Sequence, residues 1–140
     1  MITKLLENKL LNYLKSNAHF QGLSAENIVA GVSQEKRELP CIVVICDTSS
    51  DYPNTPLSAG ILAMSAKILI MQSNTESIAI FRDRSERVYN AVAQVETMRT
   101  AMNNDSDSEL FVYGFRNLKN ETAVEEQHFM VTISVEVIAS

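Results

Sequence analysis

Between residues 3 and 16, apolar side chains fall at Leu6, Leu10, Tyr13 and Leu14, with Leu5 and Leu11 widening the stripe. Lys4, Glu7, Asn8, Lys9, Asn12 and Lys15 take the other positions. Spacings of three and four are the period of a helix with one apolar face, so the pattern predicts an opening amphipathic helix. It should stop near Asn17, because Ser16-Asn17 and then Gln21-Gly22 bring turn chemistry and the apolar spacing disappears. Residues 27–34 (NIVAGVSQ) read as a short strand in which Gly31 marks a bulge. After the charged turn Glu35-Lys36-Arg37-Glu38, the run from Leu39-Pro40 to Cys46 is rich in β-branched residues and apolar on both parities. That is the signature of a central strand covered on both faces.

Residues 47–60 (DTSSDYPNTPLSAG) have loop composition. A loop of that length in a compact domain is a candidate contact element. Tyr52, Pro53, Pro56 and Leu57 are apolar groups that a solvated loop has little reason to carry, and they are the first candidate interface residues. Residues 61–72 then form a long strand, antiparallel to the preceding one if the loop closes a hairpin. Ser73-Asn74-Thr75-Glu76 fits a capping box for a helix that follows at once. In that helix Ile78, Phe81, Ser85, Val88, Tyr89, Val92 and Val95 recur at three and four. It continues, or restarts after Glu96, until the polar run 103–108. Arg82, Arg84 and Arg87 stand among Asp83 and Glu86 on the other side, a mixed-sign pattern that suits a solvated helix face with intrahelical pairs. Arginine is also favoured where charges meet across a subunit interface, so these three are the second candidate interface group. Two strands, 110–116 and 127–138, close the chain around a polar connection at 117–126. Hairpin-joined strands separated by helices indicate an α+β class. The expected architecture is one domain over 1–140, with an antiparallel or mixed sheet of four to five strands and two main helices packed on it.

Composition narrows the function more by exclusion than by assertion. With 140 residues, 46% hydrophobic, the chain can bury a core without a disulfide or a metal. The longest unbroken apolar stretch, Cys41 to Cys46, is far short of the ~20 residues of a membrane helix, and Lys4 and Glu7 stand where a signal peptide would be apolar. A soluble, intracellular protein with no membrane partner is expected. Twelve Lys and Arg against 17 Asp and Glu leave a net charge of −5, which argues against a domain built to grip phosphate backbones.

Candidate chemistry is sparse. Cys41 and Cys46 are five apart on one strand, with roughly 16 Å of rise between them, beyond disulfide reach. They are expected as small core hydrophobes. The only histidines are His19 and His128, which with those cysteines make no zinc-ligand spacing and no nucleophile signature. Asp105-Ser106-Asp107-Ser108-Glu109 begins like a calcium loop, but its sixth position is Leu110 and its twelfth Arg116. Gly22, Gly31, Gly60 and Gly114 are too scattered to cradle a phosphate. Asn120-Glu121-Thr122 matches a glycosylation sequon that an intracellular chain never presents to that machinery. No catalytic residue, cofactor or metal is expected, and no enzymatic activity.

Several segments in a fixed order carry a resemblance: the leading amphipathic helix, the LPCIVV strand after a charged turn, a long loop, and the AKILIM strand running into SNTESIAIFRDRSERVYNAV. FVYGF and HFMVTISVEVIAS close the chain. In this layout the chain resembles the tail terminator (tail-completion) proteins of long-tailed bacteriophages, the lambda-like minor tail proteins. The resemblance spans nearly the whole chain and is one of layout and texture, because no catalytic or binding motif defines the family.

It implies an α+β virion protein assembled as a hexameric ring at the head-proximal end of the tail, built in the host cytoplasm. Its partners would be its own copies, the tail-tube protein and the head–tail connector. The ring caps the growing tube, ends its polymerisation and offers the surface on which the head docks. DNA would only pass through the lumen, and six chains of net charge −5 would together carry −30, which repels it from the wall. The apolar hairpin agrees independently, since two or three helices leave part of its surface for a neighbouring subunit. A head-completion or neck connector protein is the alternative of the same kind. A ferredoxin-like small-molecule-binding regulatory domain is the alternative of another class.

Overall fold

The computed structural model describes residues 2–16, 23, 25–31, 39–51, 60–104, 109–124 and 128–140. The expected α+β class holds. A five-stranded mixed sheet, open rather than closed into a barrel, carries three helices. The elements are α1 (Ile2–Ser16), a 3₁₀ turn (Ala25–Asn27), β1 (Ile28–Ala30), β2 (Cys41–Asp51), β3 (Leu62–Ser73), α2 (Ile78–Ala93), α3 (Val95–Asn103), β4 (Val112–Val124) and β5 (His128–Ala139). Their order in the sheet is β1-β2-β3-β5-β4. Only β1 and β2 run parallel, and every other neighbouring pair is antiparallel. β3 and β4 are joined through α2 and α3 and each pairs antiparallel with β5, which lies between them, so they run parallel to each other as a split βαβ unit.

Side chains alternate across a strand, and the alternation sorts the sheet into two unlike faces. Ile42, Val44 and Cys46 of β2, Met64, Ala66, Ile68 and Ile70 of β3, and Val131, Ile133, Val135 and Val137 of β5 share one buried cluster with the apolar stripes of all three helices. α1 lies over β1 and β2, α2 over β5, and α3 over β4. Buried polar groups lock the helices together. Tyr13 Oη donates to the Ala91 carbonyl at 2.7 Å, and Lys9 Nζ, 2% exposed, donates to the Met102 carbonyl at 3.1 Å near the end of α3. The opposite parity, with Lys67, Leu69 and Met71 on β3 and Met130, Thr132, Ser134 and Glu136 on β5, has no described helix against it, yet Cys41 and Val43 of β2 and Ala63 of β3 are buried on that face.

Several boundaries depart from the sequence pattern. β2 runs on through Asp51 and pairs with β3 across a bulge between Asp47 and Ser49, so residues 47–51, expected as loop, are strand. β4 likewise extends to Val124, well into the connection expected at 117–126. Of the two courses the sequence left open for the second helix, continuing or restarting near Glu96, the chain takes the restart, because Gln94 leaves the helical region at φ −79° and ψ 67°. Its N–H still closes α2 on the Asn90 carbonyl at 3.2 Å while its own carbonyl accepts from Met98 N at 2.9 Å and opens α3. The cap also moves. Ser73 and Thr75 build a turn after β3, and Ser77 is the N-cap of α2, its hydroxyl accepting from Ile80 N. Gly31 ends β1 rather than bulging it. Its φ of +76° is a conformation costly for any other residue, and its N–H donates to the Val44 carbonyl at 2.8 Å.

β1 is too short to satisfy the whole edge of β2, and α1 supplies the missing acceptor. Glu7 Oε2 takes the Cys46 N–H at 2.9 Å. Burial first, and the Glu7 charge second, push the Cys46 thiol up to about 12, so it stays protonated and inert at neutral pH. Cys41 and Cys46 are both buried thiols outside any disulfide, as small core side chains.

Candidate functional site

Of the candidate interface residues, Tyr52, Pro53, Pro56 and Leu57 lie outside the described residues. The three arginines of α2 separate into three different environments. Arg87 is exposed and pairs with Asp83 at 2.8 Å, the intrahelical contact expected of a solvated face. Arg82 is exposed, with no ion-pair partner among the described residues. Arg84 is not on that face at all. It is 4% exposed, and Nη1 donates to the Gln72 side-chain oxygen while Gln72 Nε2 donates to the Ser77 carbonyl at 3.0 Å. Burial lowers its pKa and the nearby Glu76 charge opposes the shift. The correction has a geometric cause. The buried stripe of α2 is Phe81, Arg84, Val88, Ala91 and Val92, whose steps of three and four carry it through Arg84 rather than through Ser85. The arginine therefore ties the end of β3 to α2 and is unavailable to a partner.

That stripe leaves Ile78 outside the core, 45% exposed, although the sequence spacing put it inside. Here α2 stands away from the ends of β4 and β5, leaving a cavity of about 370 Å³ between them. Its apolar walls are Ile78, Phe81, Tyr89, Val124 and Phe129, with Arg82 and Glu86 among its polar lining. Phe81 and Phe129 meet there at 5.4 Å between ring centroids. Val124, the last residue of β4, is 73% exposed. Ser85 Oγ also lines the cavity, shielded from water and without a hydrogen-bond partner among the described residues.

A second feature lies at the other end of β4. Phe111 and Tyr113 are 47% and 48% exposed and stack edge to face at 5.0 Å. Val112 between them is buried in the helix-side core, so the two rings stand on the face of the sheet away from the helices. Phe111 continues the β4–β5 ladder by exchanging both backbone hydrogen bonds with Ser140, at 2.8 and 2.9 Å. Ser140 Oγ donates to Tyr113 Oη at 3.0 Å.

Between the aromatic pair and the middle of the same face lies a polar cluster. Arg116 donates through Nε and Nη2 to the two Glu136 oxygens at 2.8 and 2.9 Å, and Asn117 Nδ2 adds a third bond at 2.9 Å. Chiefly the Arg116 hydrogen bonds, helped by Asn117 and opposed by partial burial, hold the Glu136 carboxyl below its ordinary value of 4.5. A depressed carboxylate contributes stability above its unfolded pKa and loses it as pH falls through the folded value. Glu136→Gln is therefore expected to lower the urea midpoint at pH 7, and the difference from the unaltered chain should begin to shrink as pH falls past the ordinary glutamate value and vanish only below the lower folded one. An equal difference at both pH values would show that the bridge contributes through shape alone.

No group of three or more potential metal ligands occurs among the described residues, and no helix there is long and apolar enough to cross a membrane. No protein-family model and no curated protein matches the chain. Among the described residues, two apolar features stand open: the groove on the helix side and the ring pair on the other face.

Proposed function

We propose that this chain is a structural subunit of a phage tail, a tail terminator that assembles as a ring on the end of the tail tube, stops its growth and presents the docking surface for the head. The observation that carries the proposal is the division of the sheet into two unlike faces. Three helices cover one face, while the face away from them keeps an exposed aromatic pair at its β4 side that a neighbour can cover. A subunit whose work is to be packed between copies needs such surfaces and no reaction centre. The order of segments, from the leading helix through the LPCIVV and AKILIM strands to the closing hairpin, supports the same reading. The tail-tube protein and the head–tail connector are the proposed partners, beside further copies of the chain.

The test is reconstitution with a cognate tube protein. Tubes grown without the chain should run past their normal length, and tubes grown with it should stop and carry at one end a closed ring of six 15.6 kDa chains, visible by electron microscopy. Tubes of unchanged length with no density added at either end would remove the proposal.

A further inference from the structure

Groove and ring pair are the two unpartnered apolar features of the described surface with matching form, one concave and one convex. We propose that they are two halves of one contact: the Phe111–Tyr113 pair of one chain seats between α2 and the end of β4 of a second copy. This deepens the ring reading and rests on it for the closure of the assembly.

The ring pair cannot reach the groove of its own chain. The two features lie at opposite ends of β4, which at 13 residues spans roughly 40 Å, and on opposite faces of the sheet. Nor does the groove suit a copy of itself, since two concave surfaces leave a void. A contact joining different patches is heterologous, and head-to-tail repetition of it makes a ring if the rotation closes and a filament if it does not.

The chemistry of the two sides agrees. Phe81 and Phe129 offer aromatic edges and faces to incoming rings, and the exposed Ile78 and Val124 form apolar lips. Arg82 lines the site without an ion-pair partner among the described residues and can lie over an aromatic face. Tyr113 Oη accepts from Ser140, which leaves its own proton to donate, and the exposed Glu86 of the groove lining is an acceptor for it.

Two variants, altered only at exposed positions, test the contact. Phe111→Ser with Tyr113→Ser removes the knob, and Ile78→Glu with Val124→Glu charges both lips of the groove. Light scattering over a concentration series should show the unaltered chain assembling and each variant associating at least tenfold more weakly, with circular dichroism unchanged. An equimolar mixture of the variants still contains one good knob and one good groove. It should form a one-to-one dimer, at twice the 15.6 kDa chain mass, and nothing larger. The inference is overturned if the unaltered chain stays monomeric at its highest soluble concentration, if either variant assembles as well as the unaltered chain, or if the mixture gives no dimer. Open filaments of the unaltered chain that both variants abolish would keep the contact and remove the ring. Rings that persist in both variants would do the reverse.

Discussion

Phe81→Ala is expected to lower the stability of the chain by about 3–5 kcal/mol, the range for truncating a buried aromatic side chain. Phe81 is 2% exposed, the first anchor of α2 on the sheet, and its ring meets Phe129 of β5 at 5.4 Å. Beyond its transfer out of water, that aromatic pairing contributes about 0.5–1.5 kcal/mol, and an alanine there enlarges a cavity that already borders the site. A domain of this size holds roughly 5–15 kcal/mol in total, so the variant should melt well below the unaltered chain and lose protection from hydrogen exchange first in α2. Urea unfolding measures the loss directly. A change under about 1 kcal/mol would mean that α2 is held by its C-terminal half and α3 instead.

The second large effect concerns the buried arginine. Gln72→Leu removes the side-chain acceptor of Arg84 and is expected to cost about 2–3 kcal/mol, because a hydrogen bond to a charged group deep in the fold is worth more than one between neutral groups. Adding Arg84→Met to that variant should recover most of the loss. An apolar pair of similar shape at such a site is close to neutral, whereas half of a polar pair is not. The double-mutant cycle over urea midpoints gives the coupling energy. If the double variant is less stable than Gln72→Leu alone, the further contacts of Arg84, not the one to Gln72, hold it in place.

Arg84 also shows where sequence pattern stops being informative. The helix was legible from its period, but Ser85 and Ile78 fit the apolar stripe about as well as Arg84 did, and a charged residue is read outward by default. The available signal was the spacing 81, 84, 88, together with an amide at Gln72 at the end of an apolar strand. The strands divide in the same way. β3 and β5 stood out because one parity is apolar along their whole length, buried under helices. The last residues of β2 and the second half of β4 were read as connections because period-two alternation needs a buried face to write it. In β4 the burial fades into the exposed run Lys119, Asn120, Glu121 and Thr122, where backbone pairing alone keeps the strand. The groove was illegible for a related reason. It arises from the separation of α2 and β4, a tertiary distance that no local spacing encodes. The exposed aromatic pair sat in plain view at Phe111 and Tyr113, but a strand pattern does not say which of its faces will find no cover.

The two margins of the sheet are built so that backbone pairing with another molecule is discouraged. One margin, β1, is only three residues long, and the amide of β2 beyond it is already occupied by Glu7. The other, β4, breaks its register twice, between Val112 and Gly114 and between Arg116 and Lys119, with Asn117 in a left-handed turn at φ 57°. At its start the Asn103 side chain occupies both the Val112 N–H, at 2.8 Å, and the Val112 carbonyl, at 2.9 Å, as a partner strand would. Short, kinked and pre-occupied margins are what keep a sheet from templating fibrils. A chain with such margins can accumulate without polymerising through its backbone, and any joining is left to side chains, whose fit can be selective and reversible.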